Sequence, residues 1–196
     1  RFEKEDEASF VTAINIAQRA SAVLSPQVSH VYEILKKGEG DRPEEVSPRW
    51  QAGFDLAMGR VLAVKVRTDA YNVMLAKAKS GLKPKNPKTN VWNLEPSDEV
   101  NAGSRMTKFA DKARVYLQRV VDEHAGTPWA LMAQRELDTP IGWKWVEEFD
   151  PPPPPPMRRA AANNPDPPRP NIPRAAQNEK AKMLARPKAK RPPPKL

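Results

Sequence analysis

Residues 47–81 read SPRWQAGFDLAMGRVLAVKVRTDAYNVMLAKAKSG, and the fold class turns on this stretch. Trp50, Gly53, Phe54, Ala57, Val61, Val64, Thr68, Tyr71, Leu75 and Ala78 recur at the spacing of one helical face. No proline interrupts residues 49–83. Ser47-Pro48 is a start signal: a serine hydroxyl accepts from an unpaired amide of the first turn, and proline loses nothing where its missing N–H would have no partner. Gly81 is a stop signal. Together these features predict one helix of about 33 residues, roughly 50 Å long. Gly53 and Gly59 lie inside it, each costing about 1 kcal/mol against alanine. They either admit a close-packed helix or mark a bend.

Working outward toward the N-terminus, Phe10, Ala13, Ile14, Ala17, Ala20 and Leu24 form one helical face. Ser25-Pro26 then repeats the start signal, which predicts that one helix closes there and a second runs to Lys37 with Val28, Val31, Ile34 and Leu35 inward. Gly38 and Gly40 end it. On the C-terminal side, residues 82–96 carry Pro84, Pro87 and Pro96 and read as a loop tied to the helices by Val91, Trp92 and Leu94. Met106, Phe109, Ala110, Ala113, Leu117 and Val120 mark the next helix, ending near Gly126. Thr127-Pro128 opens another, with Trp129, Met132, Ala133 and Leu137 as its apolar side, and Thr139-Pro140 breaks it. Ile141, Trp143, Trp145 and Phe149 form an aromatic end-piece expected to fold back over the core. No strand pattern stands out. The expectation is an all-α, antiparallel helical bundle over residues 1–150, with one long central helix.

Charge and proline divide the chain at the same place. Residues 151–196 hold 15 of the 23 prolines, 11 of the 33 basic residues and two of the 24 acidic ones, leaving 22 of each sign in residues 1–150. The net charge of +9 therefore belongs to the tail. Few large apolar side chains occur there, too few to offset the entropy of ordering a backbone, so a disordered, basic, proline-rich tail is expected, with Pro151 to Pro156 as a short polyproline rod. Arg186, Lys188, Lys190 and Arg191 have three readings: contacts with nucleic acid phosphates or another polyanion, contact with an anionic membrane surface, or simply keeping the tail soluble and extended, which is favoured. Without aromatic residues to stack on bases, sequence-specific reading is not expected.

Ala113 to Ala130 is similar to the junction between tetratricopeptide-type units, a helix ending in an apolar pair, a short turn and a proline-started helix. The blocks Arg49-Trp-Gln-Ala-Gly-Phe-Asp-Leu-Ala57, Arg67-Thr-Asp-Ala-Tyr-Asn72, Gly126-Thr-Pro-Trp-Ala130 and Glu136-Leu-Asp-Thr-Pro-Ile-Gly-Trp-Lys-Trp145 resemble a bacterial family in which a helical region follows a von Willebrand factor A-type domain. The resemblance covers residues 45–148, and it implies a helical accessory or assembly module within a larger protein. The metal-binding Asp-x-Ser-x-Ser motif of the A-type domain does not occur here, so its metal site and adhesion role do not carry over. A first residue of Arg1 fits a segment of a longer polypeptide.

Signals for catalysis are weak. There is no cysteine, and His30 and His124 are the only histidines. No Walker loop, Gly-x-Ser-x-Gly or His-Glu-x-x-His occurs. Asp122-Glu123-His124 gathers titratable groups, but neighbours on a helix point about 100° apart and do not converge. Asp41-Arg-Pro-Glu-Glu45 lacks the alternating oxygen ligands of a calcium loop and reads as a solvated linker. Trp129, Trp143 and Trp145 admit two readings. They are a buried end to the core, which is favoured, or a partner-docking patch, since tryptophan is enriched at binding hot spots. Two apart on a helix, Trp143 and Trp145 would diverge.

The expected function is a non-catalytic scaffold or interaction module that needs no cofactor or metal and engages a protein partner or a second copy of itself. Nucleic acid or polyanion binding through the tail is the alternative. No run reaches the roughly 20 apolar residues of a membrane span, and the charged start lacks a signal-peptide pattern; the compartment stays open, with the cytoplasm slightly favoured.

Overall fold

The computed structural model describes residues Arg1–Pro151, and these run β1 (Phe2–Glu3), α1 (Glu7–Lys37), a 3-10 turn (Arg42–Glu44), α2 (Pro48–Lys79), β2 (Val91–Ser97), α3 (Ser104–Glu123), α4 (Pro128–Leu137) and β3 (Gly142–Glu148). The long helix of the 47–81 stretch is α2, starting and stopping where its signals lie. Its Ser47 does not cap through its hydroxyl. The Ser47 amide instead donates to Glu45 Oε1 at 2.8 Å. Thr127 does cap α4, its hydroxyl accepting from the Ala130 amide. The part of the expected tail beyond Pro151, with Arg186, Lys188, Lys190 and Arg191, lies outside the described residues.

Two expectations are corrected. First, residues 7–37 form one helix, with Pro26 inside it. The Ser25 hydroxyl that would have capped a second helix donates to Asp69 Oδ1 on α2 at 2.7 Å. The buried line Phe10, Ile14, Ser21, Val28 and Tyr32 passes Pro26 without a change of phase, so packing on α2 carries the helix through the missing backbone bond. The face expected inward is also shifted: Leu24, Val31 and Ile34 are exposed. Trp50, placed on the inward face of α2, is exposed too.

Second, the fold is mostly helical but not purely so. β1, β2 and β3 form an antiparallel sheet in that order, with β2 central. Leu94 pairs with Trp145 and Pro96 with Trp143. The two strands come from the supposed loop and the supposed end-piece, about fifty residues apart, and only their pairing makes either a strand. Val91-Trp-Asn-Leu-Glu-Pro-Ser97 contains a proline, and β1 has only two residues, so neither offers an alternation long enough to read.

The sheet closes one end of the helical layer. Phe2, Phe10, Ile14, Leu75, Ala78 and Trp92 form a core there, with Leu94 and Trp145 against it. A central core joins Tyr32 of α1, Met58, Leu62, Ala63 and Val66 of α2, and Ala110, Ala113 and Tyr116 of α3. A third, of Leu56, Leu117, Val120 and Ala133, seats α4. Of the two glycines inside α2, Gly59 is a close-approach site: a Cβ there would lie 2.6 Å from Leu117 Cγ on α3. Gly53 faces open space.

Candidate functional site

Several charged and polar side chains of the body pair with one another across elements. Asp55, fully buried between apolar neighbours on α2, accepts from Arg42 Nε at 3.0 Å and Nη2 at 2.6 Å. Arg119 of α3 approaches its other oxygen at 3.4 Å, and Arg42 also reaches Glu123 at 2.8 Å. The hydrogen bond from Arg42 to Asp55 and the further one to Glu123 hold the guanidinium charged against the desolvation it suffers. Nearby, the Tyr116 hydroxyl donates to Glu39 at 2.6 Å, and Lys112 pairs with the same carboxylate. Burial pushes the Glu39 carboxyl up, but the Lys112 and Tyr116 hydrogen bonds outweigh it and leave it below the ordinary value. Burial, then the Glu39 bond, pushes the Tyr116 phenol well above its own.

These links tie three elements together. Arg42 belongs to the segment read as a solvated linker, and its role was legible only from Asp55, an aspartate at an apolar helix position that needs a cationic partner. Asp122, Glu123 and His124 do not converge: Asp122 accepts from Gln118, Glu123 from Arg42, and His124 closes α3 with its amide donating to Val120. Among the described residues, no group of three or more His, Cys, Asp or Glu is placed to hold a metal ion, and no helix is long and apolar enough to cross a membrane.

The tryptophans occupy two separate places. Trp143 and Trp145 lie two apart on a strand and so share a face of the sheet. Trp143 stacks edge-on against Tyr71 with centroids 5.2 Å apart, and its Nε1 donates to the Arg67 carbonyl at 2.9 Å. Trp145 meets Phe2 edge-on at 5.6 Å. Trp129 packs in the third core with α4. All three are half-buried, and Phe149 is half exposed at the sheet's end. Arg67 explains why several motif blocks lie together. Its Nε donates to the Pro140 carbonyl at 2.9 Å and Nη2 to the Thr139 carbonyl at 3.2 Å, while Nη1 pairs with Glu136. The turn between α4 and β3 is thereby clamped onto α2.

An apolar face is left uncovered on α1. Ile16, Val23, Leu24, Val31 and Ile34 project from α1, with Ile16, Val23 and Ile34 between 54% and 67% exposed. At about 100° per residue they fall in one arc beside the buried line, and between Ile16 and Ile34 the only polar side chain in it is Gln27. Arg19, His30, Glu33 and Lys37 fall elsewhere on the helix. Leu24 and Val31, with Ala57, Val61 and Val64 of α2, line a groove of about 430 Å³ whose one charged rim residue, Arg60, turns toward Glu136 at 3.5 Å. Leu24, Val31 and Ile34 belonged to the apolar spacing expected to face inward, whereas Ile16 and Val23 lie outside it, and burial within the helix layer does not use all of these residues.

No family model, no curated protein and no solved structure matches this chain. The resemblance over residues 45–148 rests on its own motifs alone.

Proposed function

We propose that this chain is a non-catalytic interaction module, an accessory or assembly unit of a larger bacterial protein, and that it works through the exposed α1 face. The observation that carries this reading is the uncharged apolar arc from Ile16 to Ile34 with its groove against α2. A stripe of that length on an outer helix stays in contact with water unless another protein surface covers it, and patches of several hundred Å² of this kind mark interaction sites. The pairing of Asp55, Glu39 and Glu136 with basic or hydroxyl partners that bridge elements supports a structural reading of those residues.

The test is retention of protein from nuclease-treated native extract by the immobilised full chain and by Val23→Glu/Ile34→Glu. Loss of the retained protein in the double variant, with unchanged helix content, supports the reading. Equal retention by both chains sinks it. A second reading rests on the charge split: the whole excess of +9 in residues 151–196 suits contact with a polyanion. On that reading, deleting residues 151–196 abolishes binding to a nucleic acid probe, and raising salt weakens the wild-type interaction steeply. Salt-insensitive binding that survives the deletion contradicts it.

A further inference from the structure

We infer that the occupant of the α1 face is a second copy of this chain, packed antiparallel about a two-fold axis near Ser25. The inference rests on the interaction-module reading and names the partner.

The first support is the layout of the face. Ile16 and Ile34 are 18 residues apart, five turns at about 3.6 residues per turn, and so project in the same direction. A two-fold axis midway between them sets Ile16 of one copy against Ile34 of the other at both ends of the contact. In the middle, Val23 of one copy meets Gln27 of the other. The two Gln27 residues then lie about 6 Å apart along the helices, near enough for their amides to bond across the axis. A two-fold interface requires each patch to complement itself, and a stripe with apolar ends and one central amide does so. A single polar residue in such a seam sets register, since sliding the helices by a turn would leave both amides buried without partners.

Charge is the second support. The arc from Ile16 to Ile34 carries no formal charge, and residues 1–150 hold 22 acidic and 22 basic residues, so two helical bodies meet without net repulsion. A strongly charged partner has no complementary group on this face.

The third support is area. Five branched aliphatic side chains about half exposed present on the order of 500 Å², and two such faces bring together on the order of 1,000 Å², the threshold of a specific interface. Val61 and Val64 of α2 flank the stripe and add to it.

The experiment measures the mass of the full chain by sedimentation equilibrium across a concentration series, and it is read beside single-cysteine crosslinking. One chain is 22.0 kDa, so a dimer is about twice that. Wild type is expected to approach the dimer mass. Val23→Glu/Ile34→Glu is expected to stay at the monomer mass with unchanged circular dichroism, and Leu131→Glu, an exposed apolar residue on α4 outside the face, to dimerise like wild type. The chain has no cysteine. An equimolar mixture of Val23→Cys and Gln27→Cys chains, whose thiols face each other across the axis, should therefore form an intermolecular disulfide on mild oxidation, and Val115→Cys, exposed on α3, should not.

A monomer at every concentration overturns the proposal, as does a Val23→Glu/Ile34→Glu chain that dimerises like wild type. If the monomeric wild type still retains a different protein and the double variant loses it, self-association falls and the interaction-module reading stands. A monomer whose retention the double variant does not change sinks both.

Discussion

Replacing Gly59 by alanine tests the crossing of α2 and α3. Two opposing effects enter. Alanine removes glycine's helix penalty, a gain of about 1 kcal/mol. Its Cβ would lie 2.6 Å and 2.8 Å from Leu117 Cγ and Cδ2, and 3.3 Å from the Ala113 carbonyl, so the helices must part or a buried leucine must leave its rotamer. Leu117 is 2% exposed, which leaves it nowhere to swing. Overpacking of this kind costs about 1–3 kcal/mol, and the larger half of that range outweighs the gain, for a net destabilisation of about 1–2 kcal/mol. Gly53→Ala meets nothing within 4 Å and should stabilise by about 0.5–1 kcal/mol. Urea unfolding followed by circular dichroism reads both. Leu117→Ala supplies the decisive arm: it costs about 2–5 kcal/mol alone, but adding Gly59→Ala on that background should recover about 1 kcal/mol, a reversal of sign. If Gly59→Ala stabilises the native chain as much as Gly53→Ala does, α3 does not approach α2 at Gly59.

Three other outcomes are expected. Pro26→Ala, at an exposed position inside α1, should raise stability by about 2 kcal/mol, the helix-interior penalty of proline less its stiffening of the unfolded chain; destabilisation in thermal unfolding would indicate two helices instead. Asp55→Ala should cost about 3–5 kcal/mol by stranding the largely buried Arg42, whereas Glu123→Ala, whose carboxylate is half exposed, should cost under about 1 kcal/mol; equal losses in urea unfolding would refute the assignment. Tyr116 has a folded pKa raised above the ordinary 10.0, so its contribution is complete below pH 10 and is lost as pH climbs through the folded value. Stability measured upward from pH 10 should fall less steeply in Tyr116→Phe than in wild type, and parallel slopes would count against the burial and the Glu39 contact together, with Tyr71, also raised by burial, supplying the common remainder.

The helices were legible wherever local signals agreed. α2 joins a proline start, an unbroken apolar period and a glycine stop, and α4 joins a threonine cap to Pro128. At Pro26 the local signal pointed the wrong way, although the buried residues on either side keep one phase, and that continuity was the better guide. β2 was illegible because a strand of seven residues with a proline in it has no meaning until its partner arrives, whereas the spacing of two in Ile141, Trp143 and Trp145 was a strand signal left unused. Trp143 and Trp145 show the consequence: spacing of two separates them on a helix and joins them on a strand.

For the candidate site the division is similar. Sequence alone determined that the body is mostly helical, electrically balanced and without a recognised catalytic motif, and that all the excess charge lies beyond residue 150, because these are properties of composition and of periods a few residues long. The tertiary structure alone decided which apolar residues of α1 are spent in the core and which are left over. A period of 3.6 residues reports that a helix has an apolar side but not how wide the neighbouring helix is. α2, with the sheet at one end and α3 at the other, covers the Phe10–Tyr32 line, and Ile16, Val23 and Ile34 are left exposed.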